Sequence, residues 1–294
     1  PSGVLIHGPP GVGKQHLALW IAQVLLCANR TPSGPCMVCK SCLLSQKVEH
    51  PDLHWFFPVS KPSSARASNL ELALEAARQD SLVTRRQTFL RPISTSREIR
   101  SLYLATVKYL RKQAYKRPSM SSSQIFIIAD AQTMVSRGTT SEAANALLKI
   151  LEEPPSDTLF LMTCDRLTRL PPTIISRTVP LYLPCVPIDE IKEFLTENLG
   201  IQKEDAIKAS RLSKGSIGRA LGFIKDVETE GDLEMARQKS FHLLRACLQE
   251  DRTLIYQESM KLSGSSSRNL EPTIDSFGDA LRDLALFTLG NQDK

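Results

Sequence analysis

The stretch from Gly8 to Gln15, GPPGVGKQ, constrains the fold of this 294-residue chain more than any other. A short apolar run, Gly3-Val4-Leu5-Ile6-His7, leads into it, and His16 to Leu26 then carries apolar residues at helical spacing. That order reads as strand, loop and helix. Gly8, Gly11 and Gly13 allow a tight backbone curl whose amides can point at a phosphate, Lys14 supplies a positive charge, and the following helix adds its N-terminal dipole. One letter departs from the phosphate-loop pattern. G-x-x-x-x-G-K is normally followed by Ser or Thr, whose hydroxyl ligates the Mg²⁺ that bridges the outer phosphates of a nucleotide. Gln15 is longer and a poorer Mg²⁺ ligand, so a degenerate loop is expected, with occupancy by nucleotide left open.

The rest of the chain supplies the sheet that such a loop needs. Gln124 to Asp130 and Leu159 to Thr163 have the continuous apolar character of strands buried on both faces, and Val179 to Leu183 reads as a short further strand. A helix is expected from Ser96 as cap, with Ile99, Leu102, Leu104, Val107 and Leu110 on its apolar face, ending before Pro118. A second runs from Ser141 to Leu151 and stops at Pro154-Pro155. Strands alternating with helices imply a doubly wound parallel α/β domain over roughly residues 1–185. Residues 60–95 mix Pro, Ser and charge around one short helical pattern and read as an insertion or surface excursion, partly mobile. Beyond Pro187 the pattern is helical throughout, Pro184 and Pro187 flank a hinge, and Lys261 to Asn269 is a polar loop.

Composition narrows the class. With 41% hydrophobic residues the chain can bury a substantial core in two or three domains. No apolar run approaches the ~20 residues that cross a bilayer, and the start at Pro1-Ser2-Gly3 has neither an initiator Met nor a signal-peptide layout, which suggests a truncated beginning. A net charge of +6 and a pI near 9.0 are compatible with polyanionic partners. Of seven cysteines, Cys27, Cys36, Cys39 and Cys42 fall within sixteen residues. Without a secretory signal, C-x8-C-x2-C-x2-C suits tetrahedral Zn²⁺ better than disulfides, and four thiolates leave no open water position, so the zinc would be structural. Four reduced buried thiols are the alternative. Asp130 ends the central strand where a P-loop ATPase carries the acids that hold Mg²⁺ and activate water; capping of the following turn is the competing role.

These residues carry a resemblance. GPPGVGK, the four-cysteine knuckle, HPDLH at His50 to His54, AANALLKILEEPP at Ala143 to Pro155 and LPPTIISRT at Leu170 to Thr178 together resemble the AAA+ subunits of the bacterial DNA polymerase III clamp loader. The resemblance covers about residues 1–228. It implies an α/β AAA+ P-loop domain at 1–185, with a zinc knuckle at 27–42 and an insertion near 60–95. A helical lid at 186–228 and an incomplete helical collar at 229–294 would follow. It also implies a bacterial, cytoplasmic, replisome-associated protein with no membrane role.

At single positions the resemblance is uneven. Ser176-Arg177 matches a motif whose arginine reaches the γ-phosphate of ATP on the neighbouring subunit; Thr178 replaces a Cys there, and a plain surface arginine is the alternative. Gln15 replaces the Mg²⁺-ligating hydroxyl, Ala129 falls at the Mg²⁺-holding Asp position and Asp130 at that of the catalytic Glu. Gly218 stands where the ATPase subunits carry a sensing arginine, with Arg219 one residue later. Loss of these features with Arg177 kept resembles the delta-prime subunit, with gamma/tau ATPase and delta subunits as partners and sliding clamp and primer-template DNA reached through the complex. Own ATP/Mg²⁺ binding is doubtful on this pattern. An active gamma/tau-type ATPase with Asp130 as the working acid, and an unrelated zinc-and-nucleotide module, are the rivals. The basic run Arg97, Arg100, Lys108, Arg111, Lys112, Lys116 and Arg117 is either a DNA contact or a solvated helix face.

Overall fold

A computed structural model describes residues 3–63, 68–87, 90, 92, 100–134, 142–224, 231–250, 252–264, 270–288 and 290. The chain forms two compact units, one of residues 1–90 and 98–185, the other of 91–97 and 186–294. In the first unit the elements are β1 (Gly3–His7), α1 (Lys14–Leu26), α2 (Lys40–Gln46), β2 (Leu53–Phe56), β3 (Val59–Ser60), α3 (Leu70–Gln87), β4 (Arg100–Ser101), α4 (Leu104–Ala114), β5 (Gln124–Ile128), α5 (Glu142–Glu152), β6 (Thr158–Cys164), α6 (Pro172–Ile175) and β7 (Val179–Tyr182). Five strands form one parallel sheet in the order β2-β5-β6-β1-β7. This is the doubly wound parallel α/β architecture expected for a P-loop domain.

The unbroken apolar runs follow from burial of both sheet faces. Phe126 and Ile128 of β5 join Leu5, Phe160 and Met162 in a cluster closed by Val107 and Leu110 of α4, Leu147 and Ile150 of α5, and Ile174 of α6. Their neighbours Ile125 and Ile127 point the other way, with Ile6 and Leu161, onto Ala18 and Ala22 of α1 and Leu74 and Leu82 of α3. Each such side chain contributes about 1.5–3 kcal/mol when fully buried.

Three features differ from expectation. The sheet has a strand, β2, that the sequence reading did not assign; it supplies an edge through Leu53, Trp55 and Phe56, all buried. Within 60–95, α3 is a full helix of 18 residues. Its packed face runs through Leu74, Arg78 and Leu82, four residues apart, and the buried Arg78 disguises that face in the sequence. Arg78 is satisfied there by the Trp55 carbonyl at 2.8 Å, by Glu75 and by the Phe56 ring. Last, α4 begins at Leu104 after Tyr103, with Arg100 and Ser101 in a short strand against β3; Ser96, Ile99 and Ser141 lie outside the described residues.

A long-range carboxylate pins the sheet edge. Asp52 of HPDLH, only 2% exposed, accepts the backbone N–H groups of Ser119, Met120 and Ser121 at 2.6, 2.8 and 2.7 Å, so the loop before β5 is tied to the start of β2. Three charge-assisted bonds to one group make a firm anchor.

The second unit is helical: α7 (Ile188–Glu193), a π-turn at Phe194–Asn198, α8 (Lys203–Leu212), α9 (Ile217–Gly222), α10 (Asp232–Leu248), α11 (Arg252–Gly264) and α12 (Leu270–Thr288). Residues 261–264, read as the start of a polar loop, continue α11. Ile191, Leu195, Ala206, Ala209 and Ala220 form its small core. Glu234 of α10 is held by Arg237 at 2.7 Å and by Lys208 of α8 at 2.8 Å, and hydrogen bonding to Arg237 pushes its carboxyl down to about 2 despite burial. Among the described residues no helix is long and apolar enough to cross a membrane.

Candidate functional site

The loop after β1 has the backbone that its glycines predict. At Gly8 the φ is 156°, and a Cβ there would lie 2.1 Å from the Leu183 carbonyl oxygen, just past β7. Only a residue without a side chain lets these two segments approach so closely. Gly13 precedes α1 with φ 103°, a conformation that L-residues rarely adopt, and neither a side-chain cap nor a first-turn acid satisfies the start of that helix.

The charges in this loop are turned inward. Lys14 is 6% exposed, and its ammonium donates to the Gly8 carbonyl at 2.8 Å, to the Pro9 carbonyl at 2.7 Å and to Asp165 Oδ1 at 2.9 Å. The other Asp165 oxygen accepts from Gln132 Nε2 at 3.2 Å. Gln15 is clamped from both sides: its Nε2 donates to Asp130 Oδ2 at 3.0 Å, and its Oε1 accepts from Arg85 of α3 at 3.3 Å. The Arg85 guanidinium itself lies 4.0 Å from the Phe57 ring centre.

Asp130 has a left-handed backbone, φ 50°, and its amide donates to Thr163 Oγ1 at 3.0 Å. The backbone carbonyl of Asp130, rather than its carboxylate, receives the Thr133 amide that opens the following 3₁₀ turn. Burial, and then the charge of Asp165, push the carboxyl up to about 6 against the pull of Lys14, Arg85 and Gln15. The preceding Ala129 is fully buried in the apolar cluster with Ile6 and Ala18, its amide bonded to the Phe56 carbonyl at 2.8 Å.

The four cysteines converge beside α1. Cys27 ends α1, Cys36 lies in the connecting loop, Cys39 caps α2 and Cys42 occupies its first turn. All four sulfurs lie within 4.8 Å of one another, with Cys27–Cys39 at 4.0 Å and Cys36–Cys42 at 3.9 Å. Tetrahedral zinc with bonds of about 2.3 Å needs sulfurs about 3.8 Å apart, so the set fits. Backbone amides of Cys36, Cys39 and Cys42 donate to the sulfurs of Cys27, Cys36 and Cys39 at 3.3–3.4 Å. Burial works against ionisation at Cys39, yet the N–H groups of Cys42 and Ala28 bring that thiol down to about 6, whereas burial pushes Cys42 up to about 12. These residues could hold a metal ion such as zinc.

Arg177 lies just beyond α6, 35% exposed in its side chain. Nη2 contacts Glu152 Oε1 at 2.5 Å, and Nη1 donates to the Thr173 carbonyl at 2.9 Å. Thr178 is buried, its hydroxyl bonded to the Ile174 and Ile175 carbonyls, so it closes the α6 turn. Gly218 and Arg219 belong to α9 of the second unit, where the Arg219 amide is capped by Ser216.

The family model described as DNA polymerase III, delta subunit, matches residues 1–187. The chain belongs to the DNA polymerase III delta subunit family. It is 26% identical over 235 residues to the delta′ subunit of Escherichia coli K12, covering 80% of this chain and 56% of that protein. The delta′ subunit of Pseudomonas aeruginosa is 28% identical over 204 residues, 69% and 49% of the two chains. The gamma/tau subunit of Mycobacterium tuberculosis H37Rv is 28% identical over 206 residues, 69% and 28%. The chain spans about half the length of the delta′ relatives it matches.

In this member of the delta subunit family, the structure brings Gly8, Gly13, Lys14, Gln15 and Asp130 together, and separately gathers Cys27, Cys36, Cys39 and Cys42. Sequence reasoning assigned no role to Asp165, Arg85 or Glu152. Asp165 follows the polar end of a central strand, Thr163-Cys164, but Lys14 is 151 residues away, and Arg85 lies in the stretch read as an excursion, so neither contact had a local signal. Glu152 had one: it stands in the LEEPP segment already singled out for the resemblance.

Proposed function

We propose that this chain is a delta′-type subunit of a DNA polymerase III clamp loader, acting in the bacterial cytoplasm with gamma/tau ATPase and delta subunits to load a sliding clamp onto primed DNA. Arg177 acts in trans, neutralising charge that develops on the phosphoryl group of ATP held by the neighbouring subunit. The chain's own loop is inherited scaffold. Residues 186–228 serve as the lid and 229–294 as part of the collar.

One observation carries the reading. A lysine ammonium has three N–H donors, and those of Lys14 meet three acceptors of its own unit, one of them a carboxylate. A phosphate arriving there has to displace Asp165. The Mg²⁺ side offers no better footing, because Gln15 and Asp130 bind each other and Ala129 presents a buried methyl group. Cys27, Cys36, Cys39 and Cys42 hold a structural zinc.

Steady-state ATP turnover by the isolated chain with Mg²⁺ is expected to be negligible. The 28% identity to a gamma/tau subunit favours the rival reading of an active ATPase; turnover at the level of a working loader, abolished in Lys14→Ala, would establish that rival. Metal analysis should find about one zinc per chain, and protein purified without chelator yet free of zinc would remove the metal assignment.

A further inference from the structure

Glu152 and Arg177 are set by one piece of core. Glu152 is the last residue of α5, directly after Ile150 and Leu151, which are 0% and 3% exposed. Arg177 lies between Ile174 at 0% and Thr178 at 6%. Leu147, Ile150, Leu151 and Ile174 share a single apolar cluster. The carboxylate and the guanidinium therefore face each other from two anchored backbones, with Oε1 and Nη2 at 2.5 Å, although both side chains are partly exposed at 47% and 35%.

We infer that Glu152 is a latch on Arg177: it holds the guanidinium in a parked position and offsets its charge until a more highly charged phosphate on the neighbouring subunit draws the arginine away. This rests on the reading of Arg177 as a trans-acting arginine. A carboxylate in contact with a guanidinium weakens the attraction of that guanidinium for any third anion. A nucleoside triphosphate carries more charge than one carboxylate and competes for the same donors. When the γ-phosphate leaves, the competitor is gone and Glu152 recaptures Arg177. The Thr173 carbonyl and the Ser176 hydroxyl, bonded to Nη1 at 2.9 and 3.4 Å, are the neutral contacts about which the side chain can pivot. Glu152 is thus a positioning residue that sets how much triphosphate the neighbouring site needs before the arginine engages.

The test uses the full chain reconstituted with its partner ATPase subunits, with ATP as the probe. Glu152→Gln keeps size and removes charge; partly exposed ion pairs are weak, so the ATP concentration for half-maximal turnover should fall by roughly two- to fivefold, with little change in maximal rate. Glu152→Ala should act in the same direction. Either shift should vanish when Arg177→Ala is combined with it, because the latch acts only through that arginine. An unchanged or raised half-maximal concentration in both variants, or a shift that persists without Arg177, overturns the latch. Failure of the underlying reading looks different: Arg177→Ala alone would then leave turnover at the wild-type level.

Discussion

Lys14, at the start of α1, and Arg177, just past α6, are both cations of a P-loop-type domain, and their surroundings are opposite. Lys14 is 6% exposed and spends its donors on two carbonyls and Asp165 inside its own unit. Arg177 is 35% exposed and meets one carbonyl, the Ser176 hydroxyl and one half-exposed carboxylate. Redirecting the first means breaking a mostly buried ion pair, which commonly costs about 3–5 kcal/mol when one partner is left behind. Redirecting the second breaks a surface pair worth about 0–1 kcal/mol. The contrast teaches that the cation available to an outside phosphate is the one whose internal contacts are cheap to exchange, whatever motif each belongs to.

The sharpest way to break this comparison is Arg177→Ala. In the reconstituted complex it should lower turnover at the neighbouring site by roughly 10³-fold, about 4 kcal/mol of transition-state stabilisation, with the melting temperature of the chain unchanged. Lys14→Ala should do the reverse, destabilising the isolated chain by about 3–5 kcal/mol in urea denaturation because Asp165 keeps its charge without its partner, while turnover of the complex stays as it was. A loss of turnover with stability intact would move Lys14 into the chemistry.

Asp130 gives a smaller, pH-dependent effect. Its carboxyl sits at about 6 in the folded chain, above its ordinary value near 4. A raised folded value means that its contribution to stability is fully present below about pH 4 and is lost as pH rises through 6. Asp130→Asn should therefore gain about 1–3 kcal/mol relative to wild type between pH 4 and pH 8, read by denaturation at each pH. The smallest expected effect is that of Gln15→Ser. Restoring the hydroxyl alone should leave ATP turnover by the isolated chain at background, since Ala129 still presents a methyl group and Lys14 still holds Asp165.

The sequence made legible what local spacing encodes. Gly8 and Gly13 required a loop that bends where L-residues do not, and the four cysteines fell close enough in sequence to imply convergence. β5 and β6 were visible because both their faces are apolar. The edge strand β2 and the full length of α3 were not, since His54 interrupts one and Arg78, bonded to the distant Trp55 carbonyl as well as to Glu75, sits on the packed face of the other. The contacts that decide how the loop behaves, Lys14 to Asp165 and Gln15 to Arg85, join residues 151 and 70 positions apart. No periodicity records such pairs; they follow from sheet order.

That sheet order also bears on how the chain assembles. β1 precedes every other described strand in the chain, but its two neighbours are β6 and β7, whose residues begin at Thr158 and Val179. Until β6 has been made, this strand, with the loop that follows it, has no place in the sheet. β2 and β5 can pair earlier, on closing a loop of about 70 residues, at an entropic cost that grows only slowly with length. The first strand then enters between two strands made much later, as in other folds dominated by non-local contacts, which form slowly. The apolar segment Val4-Leu5-Ile6 thus waits for two distant strands before it is covered, and needs protection from aggregation in a nascent chain.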